Sequence, residues 1–279
     1  VEHPVRRILE ATQRLTRGDF SARIQPFHGL DGMNEFDAII NDFNKMAAEL
    51  SGIETLRTDF VANVSHELKT PLTSIKGFTD MMSSGMVKDP EDQKRFITMI
   101  GVEVDRLIEL INDVLKISEL ESVVMPQSDD RANVLSVAEE CRAALGQMAE
   151  AAKISVNLSG DNAEVAVAPG RLRELLTNLM ENGIKYNEPG GRVDVQAAQR
   201  DGKVAITVSD TGIGIPKESR ERVFERFYRV DKGRARKTGG TGLGLSIVKH
   251  IVLLYGGSIS LKSEPGKGTE ITVLFPAVR

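Results

Sequence analysis

Apolar residues stand at Phe36, Ile39, Phe43, Met46, Leu50 and Ile53, with steps that alternate strictly between three and four. The series runs on through Arg57, Phe60 and Val64, giving one narrow helical stripe roughly eight turns long. A seam of that kind is covered by a helix lying alongside, as in a coiled coil or a parallel bundle. After Val64 a second consecutive step of four reaches Leu68. This is a stutter, and it locally unwinds a supercoil. The apolar pattern then carries through Ile75, Phe78 and Met82, with Pro71 holding one place in it. Pro71 removes the backbone bond to the Glu67 carbonyl and predicts a bend there.

The segments on either side obey the same logic. Val5, Ile8, Thr12 and Leu15 predict a first helix, opened by Pro4 and closed by Gly18-Asp19. Past a turn at Lys88-Asp89-Pro90, Ile97, Ile100, Val104, Leu107, Ile111 and Val114 form a clean heptad, widened by Ile108, Leu110 and Leu115. A face that wide needs more than one partner helix. Two antiparallel helices per chain, each too apolar to stand alone, imply a four-helix bundle completed by a second copy. Met125 to Asp130 reads as a linker. Beyond it helices alternate with short strands at 154–158, 193–195, 204–208, 258–261 and 270–274, which predicts an α/β sandwich with antiparallel hairpins.

Composition excludes several roles. Net charge is −4 with 27% charged residues, Trp is absent and aromatics are 5%, so neither a basic nucleic-acid surface nor a base-stacking platform is expected. The single cysteine, Cys141, excludes an internal disulfide and is expected as a small buried residue. No apolar run reaches the length of a spanning helix.

His66 falls roughly 190° from the centre of its helix's apolar stripe and is expected to face solvent. Thr70 lies one turn on along the same face, and Glu67 places a carboxylate next to the ring. The uninterrupted run Ser65-His66-Glu67-Leu68-Lys69-Thr70-Pro71-Leu72 resembles the phospho-acceptor box of sensor histidine kinases. Upstream, Pro4, Gly18-Asp19-Phe20 and Asn34-Glu35 are similar to a HAMP relay module, although Asn34 stands where an aspartate is common. A plain dimerising coiled coil is the alternative. The resemblance implies a HAMP domain over 1–53, a dimerisation and phosphotransfer domain over 54–124 and an ATP-binding catalytic domain over 125–279. It also implies a cytoplasmic portion of a membrane protein, anchored through a segment preceding Val1.

Four clusters in the last domain point to a nucleotide. Asn178 and Asn182, four apart on one helix face, can offer amide oxygens to Mg2+, with Lys185 and Tyr186 one turn later. Asp210 follows a strand and can accept from an adenine amine, while Gly212 and Gly214 let backbone approach the base. Phe224 to Arg229 supplies aromatic packing and the cation Arg229. Gly240, Thr241, Gly242, Leu243 and Gly244 open an apolar helix whose free N–H groups suit phosphates. Residues 231–238 between them are polar and basic, as a closing lid would be. No lysine follows the glycines as in a Walker motif.

In this order the clusters resemble the N box, the two glycine boxes and the F box of the GHKL ATP-binding fold. Hydrolytic members of that superfamily place a glutamate four residues before the magnesium asparagine. Here Asn178 holds that place, and Glu174 stands one turn too early. The resemblance therefore implies a kinase that moves the γ-phosphate of Mg-ATP to His66, with Glu67 orienting the ring and accepting its proton. Arg229 would stabilise the transferred charge, and Thr70 would position water for a reverse phosphatase reaction. A homodimer and a response-regulator aspartate are the implied partners. Two other readings stay open: a GHKL ATPase coupled to conformational change, and a signalling scaffold with a vestigial site.

Overall fold

The computed structural model describes residues 2–25, 35–122, 131–231 and 240–278. The linker from Met125 to Asp130, and residues 232–238 of the expected lid, lie outside the described residues. The chain divides into two compact units, Val1–Lys69 and Thr70–Arg279.

In the first unit, α1 (Glu2–Thr16) packs against the opening turns of α2 (Glu35–Ser83). The chain leaves α1 through Gly18 at φ 87°, with the Asp19 N–H returning to the Arg14 carbonyl at 3.0 Å. Only glycine reaches that left-handed region without strain, so the helix stops here. Ala11, Leu15, Ile24, Ile40, Phe43 and Ala47 form the core, with Ile8, Phe20 and Leu50 packed against it.

This core splits the seam expected from the sequence. Ile40, Phe43, Ala47 and Leu50 face α1, whereas Ile39, Met46 and Ile53, seven apart, are 50%, 47% and 61% exposed within one chain. In α1 the small Ala11 takes the inner place expected for Thr12, whose hydroxyl instead donates to its own helix at Ile8. Asn44 of α2 grips the segment leaving α1: its amide oxygen accepts the Ile24 N–H at 2.9 Å, and its amide nitrogen donates to the Ile24 carbonyl at 2.7 Å.

The second unit takes up α2 from Thr70 and continues, after a turn with Gly85 at φ 70°, into α3 (Pro90–Ser122). Phe78 and Phe96 meet edge to face at 5.4 Å between ring centroids. Leu110, Ile117 and Leu120 are buried, while Ile97, Val102, Val104, Ile108, Ile111 and Leu115 stay exposed.

Next come β1 (Ala132–Asn133), α4 (Val134–Ala144), α5 (Gly146–Ala152), β2 (Ser155–Gly160) and β3 (Glu164–Val165). They are followed by α6 (Pro169–Lys185), β4 (Arg192–Arg200), β5 (Lys203–Asp210), α7 (Gly244–Leu254), β6 (Ser258–Glu264) and β7 (Gly268–Pro276). Asn133 caps α4 by accepting the Ser136 N–H, and Pro169 opens α6, where its missing N–H costs nothing. Short β1 pairs with β3, and the main sheet runs β2-β4-β5-β7-β6.

The hairpins expected from the sequence are present, but β2 pairs with β4 in parallel, Ser155 opposite Arg192. A parallel neighbour needs a crossover, and α6 supplies it. Alternate residues Val193, Val195, Ala197 and Val204, Ile206, Val208 turn to one face, where α6 presents Leu172, Leu175, Leu176, Leu179, Met180 and Ile184. Along α7, Ile247, Val248, Ile251 and Val252 complete the layer. The C-terminal end of α6, the end of β5 and the start of α7 are thereby brought to one place.

Candidate nucleotide-binding site

A cavity of about 840 Å³ opens where those three ends meet, a size suited to a small organic ligand. One wall is apolar, from Val208, Ile213, Val223 and Ile271. Asp210 stands at its edge. Its Oδ1 accepts N–H groups from Gly212 at 2.8 Å and Thr269 at 3.2 Å. Burial pushes the carboxyl above its ordinary range, and the two backbone donors work against that rise. An apolar wall beside a fixed carboxylate acceptor is the pairing that a planar base carrying an amine calls for.

The glycines of this cluster are required by contact. A Cβ on Gly212 would run into the Tyr186 carbonyl, and one on Gly214, at φ 68°, into the Glu264 backbone. Ile213 donates its N–H to that same Tyr186 carbonyl at 3.0 Å, tying the end of α6 to the turn after β5.

At the opposite end, α7 begins at Gly244 with no side chain capping it. Gly240, Thr241, Gly242, Gly244 and Leu245 line the cavity, so the first N–H groups and the positive end of the helix dipole open into it. A Cβ on Gly244 would come within 2.6 Å of Asn178 Oδ1. Asn178 donates its amide N–H to the Glu174 carbonyl at 2.8 Å, which turns its oxygen toward this glycine cradle. Hard oxygen donors suit Mg2+, and among the described residues no group of three His, Cys, Asp or Glu offers another metal site.

The aromatic cluster is stitched to the glycine turn. Phe227 adopts φ 62°, unusual for a side chain of that size, and donates its N–H to the Gly242 carbonyl at 2.9 Å. Tyr228 donates to Ser219 at 3.0 Å and lies under the Arg222 guanidinium at 4.3 Å. Arg229 follows into the cavity wall, as do Asn182, Lys185 and Tyr186. Of the residues singled out in the sequence, Gly212 and the fully buried Leu243 shape the site from behind its surface.

Sequence reasoning missed a fourth contributor. Glu109, Asn112, Asp113 and Lys116 of α3 also line the cavity. Asp113 Oδ2 accepts the Thr241 hydroxyl at 2.7 Å, and Glu109 lies 3.5 Å from Lys185 Nζ. Lys185 is also held by Glu181 at 2.6 Å. Burial lowers its affinity for the proton, but these ion pairs overcome that and leave it raised. Polar residues at such spacing look like a solvated helix face, so nothing in the sequence marked them. Glu174 reaches the cavity as well, with one oxygen on Arg171 at 2.9 Å and the other buried without a hydrogen-bond partner among the described residues.

On α2, His66 has a side chain 75% exposed, with Nδ1 3.9 Å from Glu67 Oε1. That is within ion-pair range and longer than a hydrogen bond. Cys141 is buried beside the Thr177 hydroxyl, and burial pushes its thiol up.

Three family descriptions match in succession: the HAMP domain over residues 3–52, the His Kinase A phospho-acceptor domain over 56–123, and the histidine kinase-, DNA gyrase B- and HSP90-like ATPase over 167–279. The chain belongs to the sensor histidine kinases. Sensor-like histidine kinase SenX3 of Mycolicibacterium smegmatis is 38% identical over 230 residues, 82% of this chain and 60% of that protein. Signal transduction histidine-protein kinase BaeS of Escherichia coli is 31% identical over 278 residues, 99% of this chain and 58% of that protein. This histidine kinase chain thus spans little more than half the length of these two relatives. Among solved structures, full-length ShkA in complex with AMPPNP is 27% identical with a TM-score of 0.57, over 79% of this chain and 46% of that one. The cavity is lined by residues of the ATPase-like part together with Glu109, Asn112, Asp113 and Lys116 of the phospho-acceptor part, which also contains His66. Among the described residues no helix is long and apolar enough to cross a membrane.

Proposed function

We propose that this chain is the ATP-dependent autokinase portion of a two-component sensor. Its relay domain would span 1–53, its dimerisation and phosphotransfer domain 54–124, and its catalytic domain 125–279. The HAMP match supports placing it on the cytoplasmic side of a membrane-anchored parent. One observation carries the reading: an exposed imidazole in an intact phospho-acceptor box shares a chain with a cavity that pairs a purine slot at Asp210 with an uncapped helix start at Gly244.

Asp210 takes the adenine amine, and the N–H groups after Gly240 take the phosphates. Asn178 and Asn182 would hold Mg2+, which when bound supplies neutralisation of phosphate charge. A ring nitrogen of His66 forms a bond to the γ-phosphorus as the bond to the bridging oxygen breaks and ADP leaves. Glu67 orients the ring and accepts its proton. Arg229 offsets the charge of the moving phosphoryl group. The phosphohistidine then passes its group to an aspartate of a response regulator seated near Thr73, Lys76, Gly77 and Asp80. Thr70 positions water for the reverse dephosphorylation of that regulator.

Incubation with γ-labelled ATP is expected to leave acid-labile label on His66 and none on His66→Gln. The buried free oxygen of Glu174 favours one other reading, an ATPase. That reading predicts phosphate release without any acceptor, undiminished by His66→Gln and lost in Glu174→Gln.

A further inference from the structure

The two carboxylates of α3 that enter the cavity stand one helical turn apart on one face. Both engage groups that a triphosphate needs. Asp113 holds the hydroxyl of Thr241, itself only 7% exposed at the mouth of the glycine turn, and Glu109 reaches the Lys185 ammonium. The Asp113 side chain is 13% exposed, so this is an enclosed contact rather than a surface pairing. Lys116, 3.5 Å from the other Asp113 oxygen, offsets part of its charge. Glu109 is pulled in two directions: burial raises its carboxyl and the Lys185 charge lowers it, with burial prevailing.

A polyphosphate entering this cavity meets like charge from Glu109 and Asp113 in a partly desolvated place, and it competes with them for Lys185 and for the glycine turn. The end of α3 is fastened separately. Glu119 pairs with Arg171, Glu121 with Arg226, the Leu120 carbonyl faces His250 Nε2 at 3.3 Å, and Ile117 and Leu120 are buried. The contacts nearest the cavity can therefore release while the last turns of the helix stay attached.

We propose that Glu109 and Asp113 form an anionic strap which holds the catalytic domain on α3 when nucleotide is absent, so that triphosphate binding and strap release are one linked event. The proposal rests on the ATP reading of the cavity. By thermodynamic reciprocity, the factor by which the strap weakens nucleotide binding equals the factor by which nucleotide loosens the strap. Residues of the phosphotransfer helix pair thus set nucleotide affinity without touching the base.

Titration calorimetry of the whole chain with a non-hydrolysable ATP analogue and Mg2+ tests this. The isosteric double variant Glu109→Gln/Asp113→Asn is expected to bind about tenfold tighter. Glu109→Gln alone, at a side chain 43% exposed and so safe for folding, is expected to bind about threefold tighter. In the wild type, nucleotide is expected to speed amide hydrogen exchange over residues 105–117, and in the double variant that exchange is already fast. Unchanged or weaker affinity in these variants, or exchange indifferent to nucleotide, overturns the strap. Asp210→Asn separates the two levels: if it binds the analogue like the wild type, the ATP reading of the cavity fails instead.

Discussion

Asp210 is an acid kept where its charge is costly. Its raised pKa means the folded chain holds a proton more readily than the unfolded one. The residue therefore favours folding below its ordinary value of 3.8 and loses that advantage as pH climbs through the raised folded value. Asn in its place keeps an oxygen for Gly212 and Thr269 but presents N–H groups to the adenine amine. Asp210→Asn should thus melt no lower than wild type near neutral pH, and its advantage should shrink as the pH falls through the raised folded value and level off below 3.8, by thermal denaturation across a pH series. Its nucleotide affinity should fall by about 2–4 kcal/mol, as for a site left with mismatched polar groups. Thr70 carries a different expectation. Thr70→Ala should keep autophosphorylation within about twofold of wild type and slow regulator dephosphorylation by roughly 10²-fold, as loss of a water-positioning group does. Time courses with a phosphorylated regulator distinguish the two, and equal loss of both reactions would refute the division.

At the scale of elements, α2 is the decisive one. It is a single helix from Glu35 to Ser83 that carries both the relay core and the phospho-acceptor box. Its inward residues Ile40, Phe43 and Ala47 pack with α1, and the stutter that the sequence places after Val64 falls within a turn of His66. Removing four residues between Arg57 and Val64 shifts the downstream helix by about 6 Å and 40° relative to the relay core. The deletion is expected to lock the kinase in one output state, read as a kinase-to-phosphatase ratio that no longer responds to stimulus in the parent protein. A preserved response counts against rotation or register change as the signal. The helix pattern was legible residue by residue, because burial along a helix repeats every 3.6 residues. Which stripe met α1 was not, since Ile39 and Ile40 are equally apolar and only packing chose between them.

For the whole molecule, the exposed apolar residues of α3 bear on the homodimer that the sequence implies. Ile108 and Leu115, a heptad apart, are 52% and 56% exposed within one chain. Apolar faces of this length favour burial against a partner, and a second copy of the same hairpin is the partner that the sequence implies. Ile108→Asp/Leu115→Asp buries two unpaired charges in that interface, a cost of several kcal/mol. Light scattering should then read 30.5 kDa in place of twice that mass, with labelling of His66 reduced more than tenfold. An unchanged mass would move the dimer contact elsewhere.

The order of residues alone determined the helices, the outward direction of His66 and the four clusters that the fold gathers around one cavity. These follow from periodicity and from side-chain chemistry at short spacing, which act along the chain. The tertiary structure alone decided that β2 runs parallel to β4, that Thr269 shares the Asp210 oxygen, and that α3 enters the cavity through Glu109 and Asp113. Each of these joins positions far apart in the chain, and a polar residue facing a distant partner carries the same local pattern as one facing water.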